Sequence, residues 1–250
     1  MGYGIRSCAC TSAGRVRRNN EDSFVLNRML CVPPEEQPEQ TAQAQAGGMQ
    51  WYAVFDGMGG EAYGERASFA AAQLLHRQGW RLRFGPVPAC IQKLAQQMND
   101  AVCQAVGTDM GGCTLALALI RGGRLYAAHA GDSRIYLFRE NGLVRLTKDH
   151  TMVRRDRGKE HRSHMLLRYL GGSWGDGELC EVSGQGIRLK PGDRILICSD
   201  GLTDMVSDAG ILRQLRVIQG TQECAQALLQ DALAAGGRDN VTVVLADVMP

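Results

Sequence analysis

Four strand-like stretches crowd the segment from Cys113 to Thr147: Cys113 to Ile120, Arg124 to His129, Arg134 to Arg139 and Leu143 to Thr147. The gaps between them are too short for the crossover that parallel strands need, so neighbours must run antiparallel. Asn141-Gly142 between the last two is a hairpin signal. Ile5 to Ser12, Ser23 to Leu30, Gln50 to Phe55, Arg194 to Ser199 and Val241 to Val248 also read as strands. Helical spacing appears in Ala67, Ala70, Ala71, Leu74 and Leu75, and again in Ile91, Leu94, Ala95, Met98, Val102 and Ala105. Ser207 to Ile218 and Gln222 to Ala235 read as helices as well. Grouped antiparallel strands with paired helices between them predict a layered α+β fold.

Two segments break the pattern. Cys31 to Gln50 is rich in Pro, Glu, Gln and Ala and is expected to be an exposed loop. Thr151 to Gly186 reads as irregular and basic, a short flap near 151–180. The expectation is one domain spanning residues 1–250.

With 28 Lys+Arg against 26 Asp+Glu, the chain lacks the dense basic field of a nucleic-acid protein. Its longest apolar runs, such as Thr114 to Ile120, are far short of the ~20 residues that span a bilayer, so no membrane insertion is expected. The nine cysteines are odd in number, scattered, and without a Cys-x-x-Cys pair. With no signal peptide, they are expected to be reduced thiols of a cytoplasmic protein. Met1-Gly2 opens the chain, but Arg6 stands where N-myristoylation prefers Ser or Thr.

Three aspartates share a setting. Asp56 follows the strand ending at Phe55 and leads into Gly57-Met58-Gly59-Gly60; Asp200 leads into Gly201-Leu202; Asp239 lies between Gly236-Gly237-Arg238 and the strand from Val241. A lone Asp-Gly is more often a turn than a site, but three at strand ends make that reading less comfortable. Converging carboxylates repel one another. A hard cation held by oxygen ligands, Mg²⁺ or Mn²⁺, removes that cost. No His/Cys array competes at the level of spacing, since His161 and His164 lack a metal-site pattern.

Six motifs in order carry a resemblance over nearly the whole chain. They are Gly14-x-Val16-Arg17-x-x-Asn20-Glu21-Asp22, Phe55-Asp56-Gly57-Met58-Gly59-Gly60, Gly112-Cys113-Thr114-Leu115, His129-Ala130-Gly131-Asp132-Ser133-Arg134, Cys198-Ser199-Asp200-Gly201-Leu202-x-Asp204 and Gly237-Arg238-Asp239-Asn240-Val241-Thr242. With these the chain resembles the metal-dependent protein phosphatases of the 2C (PPM) type, bacterial single-domain members above all.

The resemblance implies a four-layer α-β-β-α sandwich, two antiparallel sheets flanked by helix pairs, with metals in a cleft at one edge. It implies a serine/threonine phosphoprotein phosphatase that uses two divalent cations (Mn²⁺ or Mg²⁺) and a third, weaker one. In that comparison Asp56 bridges two metals, the Gly57 carbonyl binds one of them, and Asp200 and Asp239 bind the other. Glu21 and Asp22 orient metal-bound water, Arg17 grips the substrate phosphate, and Asp132 with Asp200 and Asp204 holds the third ion. The implied partners are phosphoserine and phosphothreonine proteins and a cognate Ser/Thr kinase, with the phosphatase itself a monomer.

The chemistry suits such a site. Enzymes speed phosphate monoester hydrolysis by up to ~10²¹-fold, roughly 28 kcal/mol, beyond any few hydrogen bonds. Two divalent ions can supply a bridging hydroxide near neutral pH and neutralise phosphoryl charge, so the resemblance implies that water attacks phosphorus directly.

Met58 stands where animal members carry a proton-donating histidine; a metal-bound water near Asp132 is the expected donor instead. The flap carries Arg154, Arg155, Arg157, Lys159, Arg162 and Arg168. Two readings stand for it, a preference for acidic phosphopeptides or a solvated charged loop. Gly171-Gly172-Ser173-Trp174-Gly175 matches a serine-hydrolase elbow, yet Gly175-Asp176-Gly177 follows where a helix should. A phosphoprotein-binding pseudophosphatase is the other alternative, although every matching ligand position is acidic.

Overall fold

In the computed structural model, residues 3–34, 36–59, 63–156, 159–173 and 178–249 are described, with the side chains of 153–156 and 159–164 excepted. Among them, two antiparallel sheets form the centre. The first runs in the order Gly142–Arg145, Arg134–Arg139, Arg194–Cys198, Val241–Val248, Gly4–Ser12 and Gln40–Gly47. The second runs Glu181–Val182, Arg124–Ala130, Leu115–Arg121, Gln50–Met58, Asp22–Leu26 and Met29–Leu30, with Ile187–Arg188 and Gly112–Cys113 paired on its flanks.

Residues alternate between faces along each strand, and here both faces are buried. On Gln50–Met58, Tyr52 and Val54 face the first sheet and pack in a core with Ile5, Phe24, Ile195 and Val244. Ala53 and Phe55 face the other way, against Ala67, Leu75, Ile91 and Met98. These belong to the helices Tyr63–Gln78 and Val87–Val106. On the first sheet, Cys8, Leu196, Val243 and Leu245 pack against Ile211, Leu215, Leu228 and Ala232 of the helices Asp208–Val217 and Thr221–Ala234. Fully burying one such Leu or Ile stabilises by roughly 1.5–3 kcal/mol. The result is the expected four-layer α-β-β-α sandwich.

Double-sided burial explains why the central strands read as continuous apolar runs. The edges read differently. Gln40–Gly47, expected to be part of a loop, is a strand paired with Gly4–Ser12 from Thr11↔Gln40 to Gly4↔Gly47. Ala42 and Ala44 lie against the inter-sheet core, while Thr41, Gln43 and Gln45 are exposed. Polar residues on an open edge oppose further strand pairing. The flap also departs from its irregular reading: Thr151–Asp156 and Lys159–Leu166 form a two-stranded ladder.

Elsewhere the expected elements stand within a few residues. Ser207 caps the helix Asp208–Val217, its Oγ accepting from Gly210 N at 3.3 Å. All nine cysteines are free thiols. No helix among the described residues is long and apolar enough to cross a membrane.

Candidate metal centre

The acidic residues gather where the two sheets end side by side. Arg17, Glu21, Asp56, Gly57, Met58, Asp132, Asp200 and Asp239 line one cleft of about 510 Å³, with Thr114, Leu166 and Asn240 beside them. Each side chain arrives on a different piece of framework. Asp56 comes near the end of Gln50–Met58, and Asp22 stands directly across the ladder from it. Asp200 opens the short helix Asp200–Thr203 after Ser199. Asp239 precedes Val241–Val248, and Asp132 follows Arg124–Ala130.

Close approach of backbones sets the glycines. A Cβ on Gly57 would lie 2.3 Å from the Gly64 carbonyl oxygen and 2.5 Å from that of Glu21. A Cβ on Gly201 would lie 1.9 Å from the Asn240 carbonyl oxygen. Neither position has a left-handed φ; the absence of a side chain is what the packing requires.

A polar scaffold holds the carboxylates in place. Asp56 N donates to Thr114 Oγ1 at 2.9 Å, and Thr114 Oγ1 is 2.7 Å from Ser133 Oγ. Asn240 Oδ1 accepts from Glu21 N at 2.8 Å, and its Nδ2 donates to the Asn19 and Ala13 carbonyls. Asn19 Nδ2 donates to Glu21 Oε1 at 3.3 Å and also to Glu65. Beneath them Asp22 is buried; Ser199 Oγ and Thr242 Oγ1 donate to its Oδ2 at 2.8 and 2.6 Å. Its Oδ1 has no partner among the described residues.

The electrostatics are unfavourable for carboxylates alone. Burial, then mutual repulsion, holds Asp56 and Asp200 well above the usual carboxylate range. Burial raises Asp22 to about 7 and, with Asp149 adding repulsion, Asp132 to about 6. Burial also raises Glu21. The one cation lining the cleft among the described residues is Arg17, with Nη2 2.7 Å from Asp239 Oδ2. A divalent cation reverses this balance, and the donor set, hard carboxylate oxygens, fits Mg²⁺ or Mn²⁺.

The structure therefore brings together Arg17, Glu21, Asp56, Gly57, Asp132, Asp200 and Asp239. Asp22 lies buried behind the cleft wall, and Asp204 is exposed just outside it, close enough to act on the charge of Asp200 and Asp132. Gly60 of the second motif lies outside the described residues. Thr114, Ser133, Asn240 and the Asn19–Glu65 link had no role from sequence reasoning. Thr114, Ser133 and Asn240 stand in the quoted motifs, which was their signal; Asn19, at an unspecified motif position, and Glu65 left none.

One cluster escaped the reading that found no histidine array. His129, His150 and Glu181 place ligand atoms within 4.8 Å of one another. The imidazoles stack at 4.5 Å and 13°, so their in-plane lone pairs run side by side instead of converging on one point. Gly131 N donates to His150 Nδ1 at 3.3 Å, and His129 Nε2 lies 2.8 Å from the Lys148 carbonyl. The pair fastens the base of the flap to the loop that carries Asp132. His161 and His164 have side chains outside the described residues, as do Arg154, Arg155, Lys159 and Arg162; Arg157 and the segment 174–177 lie outside entirely.

Among the described residues, Ser173 has no hydrolase setting: its Oγ donates to Asp109 Oδ2 at 3.1 Å, a long-range contact in place of the histidine base a triad needs.

A cleft of carboxylates at the edge of an α-β-β-α sandwich defines a metal-centred class of enzyme fold. The family model described as protein phosphatase 2C matches residues 11–156, and the chain belongs to that family. Serine/threonine protein phosphatase PstP of Mycobacterium tuberculosis is 35% identical over 98% of this chain, which spans 45% of that relative's length. Serine/threonine phosphatase stp of Listeria innocua is 30% identical over 95% of this chain and 93% of its own. Among solved structures, the catalytic domain of PstP in complex with two manganese ions superposes with a TM-score of 0.77, at 32% identity and 99% coverage of both chains.

Proposed function

We propose that this chain is a divalent-cation-dependent phosphatase of phosphoserine and phosphothreonine in proteins. The observation that carries the reading is the convergence of Asp56, Asp132, Asp200 and Asp239 on one cleft, with Arg17 at its mouth. The relatives support it: PstP and stp are both serine/threonine phosphatases by name.

Asp56 and the Gly57 carbonyl would hold one cation, and Asp56, Asp200 and Asp239 would hold the other. Asp132, with Asp200 and Asp204, would hold a third, weaker ion. When bound, the cations supply an acidified water and positive charge opposite the phosphoryl oxygens. Everything else falls to the chain. One of the five N–H donors of Arg17 holds Asp239, and others are open to phosphate oxygens, which a planar guanidinium fits in pairs. Glu21 orients water from the Asn240 side, with Asp22 behind it holding the wall of the cleft. Met58 lines the cleft without a proton to give, so the leaving alkoxide takes its proton from water on the Asp132 side.

The reading extends to one catalytic domain over residues 1–250, acting as a monomer in the cytoplasm with its thiols reduced, opposite a Ser/Thr kinase. Phosphate release from a phosphothreonine peptide, measured with Mn²⁺ present, tests it. Release with multiple turnovers is expected. Tight peptide binding without release would replace it with phosphoprotein recognition, and cleavage of p-nitrophenyl acetate alone would favour Ser173.

A further inference from the structure

The connection between the two helices of the second sheet presents a surface that the metal centre does not use. Residues Gly79–Arg83 form a tight 3-10 turn. The turn buries Leu82 and leaves Trp80 and Phe84 53% and 60% exposed. Their rings meet edge to face at 6.1 Å, and the Arg81 guanidinium lies 5.6 Å over the Trp80 ring. Arg77, Arg81, Arg83 and Lys93 are exposed around them. Arg121 reaches in from a neighbouring strand end, donating to the Leu82 and Gly85 carbonyls at 2.8 Å. The rings are thus held outward on a fixed turn.

Charge is segregated here. Residues 67–99 contain no Asp or Glu, although acids nearly balance bases in the whole chain. The positive field over this face is therefore not cancelled by its own segment.

We propose that the Trp80–Phe84 turn docks this protein on an anionic lipid surface. In Trp80-Arg81-Leu82-Arg83-Phe84, aromatic rings suited to the polar–apolar interface alternate with arginines suited to lipid phosphates. Leu82 points inward, so two rings enter the interface and no helix does. A flat anionic surface meets all the cations of the patch at once, which is the charge complement that a segment free of acids from 67 to 99 calls for.

The placement has a functional consequence. Gly79 lies against the Trp51 indole, where a Cβ would come within 2.6 Å of it. Trp51 and Asp56 are five residues apart on one strand, so the patch and the carboxylates sit at opposite strand ends, roughly 17 Å apart along it. Docking by the turn leaves the cleft facing away from lipid and open to phosphoproteins.

Cosedimentation with vesicles of phosphatidylcholine, or of phosphatidylcholine mixed with phosphatidylglycerol, tests the proposal. Binding is expected to the mixed vesicles alone and to weaken with salt. Arg81→Gln with Arg83→Gln should weaken it roughly fivefold for each arginine, and Trp80→Ala with Phe84→Ala by at least about tenfold. Hydrolysis of p-nitrophenyl phosphate and the melting temperature, unchanged in both variants, check the fold. Equal partition into both vesicle types, or variants that bind like wild type, would overturn the proposal. So would a lipid-independent dimer that Trp80→Ala with Phe84→Ala abolishes, since the patch would then belong to a second copy.

Discussion

Asp22 stands directly across the strand ladder from Asp56, and the buried carboxylate of the pair is tied to the opposite sheet. Ser199 and Thr242, which donate to Asp22 Oδ2, belong to the strand ends of the first sheet, whereas Asp22 and Asp56 belong to the second. One buried acid thus joins the sheets directly under the cleft. This contact fixes the spacing between Asp56 and the pair Asp200 and Asp239.

That joint can be loosened without touching a lining residue. Thr242 Oγ1 lies 2.6 Å from both Asp22 Oδ2 and Thr11 Oγ1. Thr242→Val leaves those groups short of a partner in a buried site, at a cost of about 1–3 kcal/mol. At roughly 2–4 °C per kcal/mol for a domain of this size, Tm should fall by about 2–12 °C. An unchanged melting curve would show that the hydrogen bonds do not join the sheets.

Removing a charge from the cleft should have opposite effects on stability and turnover. Asp200→Asn or Asp239→Asn is expected to reduce phosphopeptide turnover by at least about 100-fold, through loss of cation binding. Asp200→Asn should also raise Tm in EDTA, because one member of a repelling set is gone. Wild-type rates in either variant, or a lower Tm for Asp200→Asn in EDTA, would contradict the assignment.

Arg17 is predicted to act on binding. Charge-assisted hydrogen bonds are worth about 1.5–3 kcal/mol, so Arg17→Ala should raise KM for phosphopeptide roughly 10- to 100-fold with a smaller change in kcat. Steady-state kinetics decide this; an unchanged KM would remove Arg17 from the phosphate site.

Stability should depend on pH in a direction set by the raised carboxyls. Asp22 at about 7 and Asp132 at about 6 bind protons more tightly folded than unfolded. Their contribution is full below about pH 4 and is lost as pH rises through those values. His129 and His150, lowered chiefly by burial, work oppositely, losing stability as pH falls through about 6.5. Comparing melts with and without Mn²⁺ cancels the histidines. The Mn²⁺-induced rise in Tm should be larger near pH 8 than near pH 5, reaching about 5–10 °C at 100 times Kd. A shift of the same size at both pH values would contradict the account.

How far the sequence disclosed this arrangement depended on the kind of signal each part left. Trp51 to Phe55 and Val241 to Val248 are buried on both faces, so their apolar runs identified them as strands. Beyond Gln40, the edge strand Gln40–Gly47 covers only small alanines on one side; composition pointed to a loop, although the alternation Thr41-Ala42-Gln43-Ala44-Gln45-Ala46 was present. The aspartates were legible because each lies at a strand end within two residues of a glycine. Their convergence was not, since Asp56 and Asp239 lie on different sheets, and only the ordered motifs implied it. The stacked pair His129 and His150 and the Thr114–Ser133 support under Asp56 are assembled from separate elements, and no spacing along the chain encodes them.

The most direct test of the central claim uses metal-stripped wild-type protein and a phosphothreonine peptide, with Mn²⁺ titrated in while binding stoichiometry and phosphate release are followed together. No release is expected in EDTA, and release should rise with Mn²⁺ as two ions bind per chain. Release that persists at its full rate in EDTA would contradict that claim.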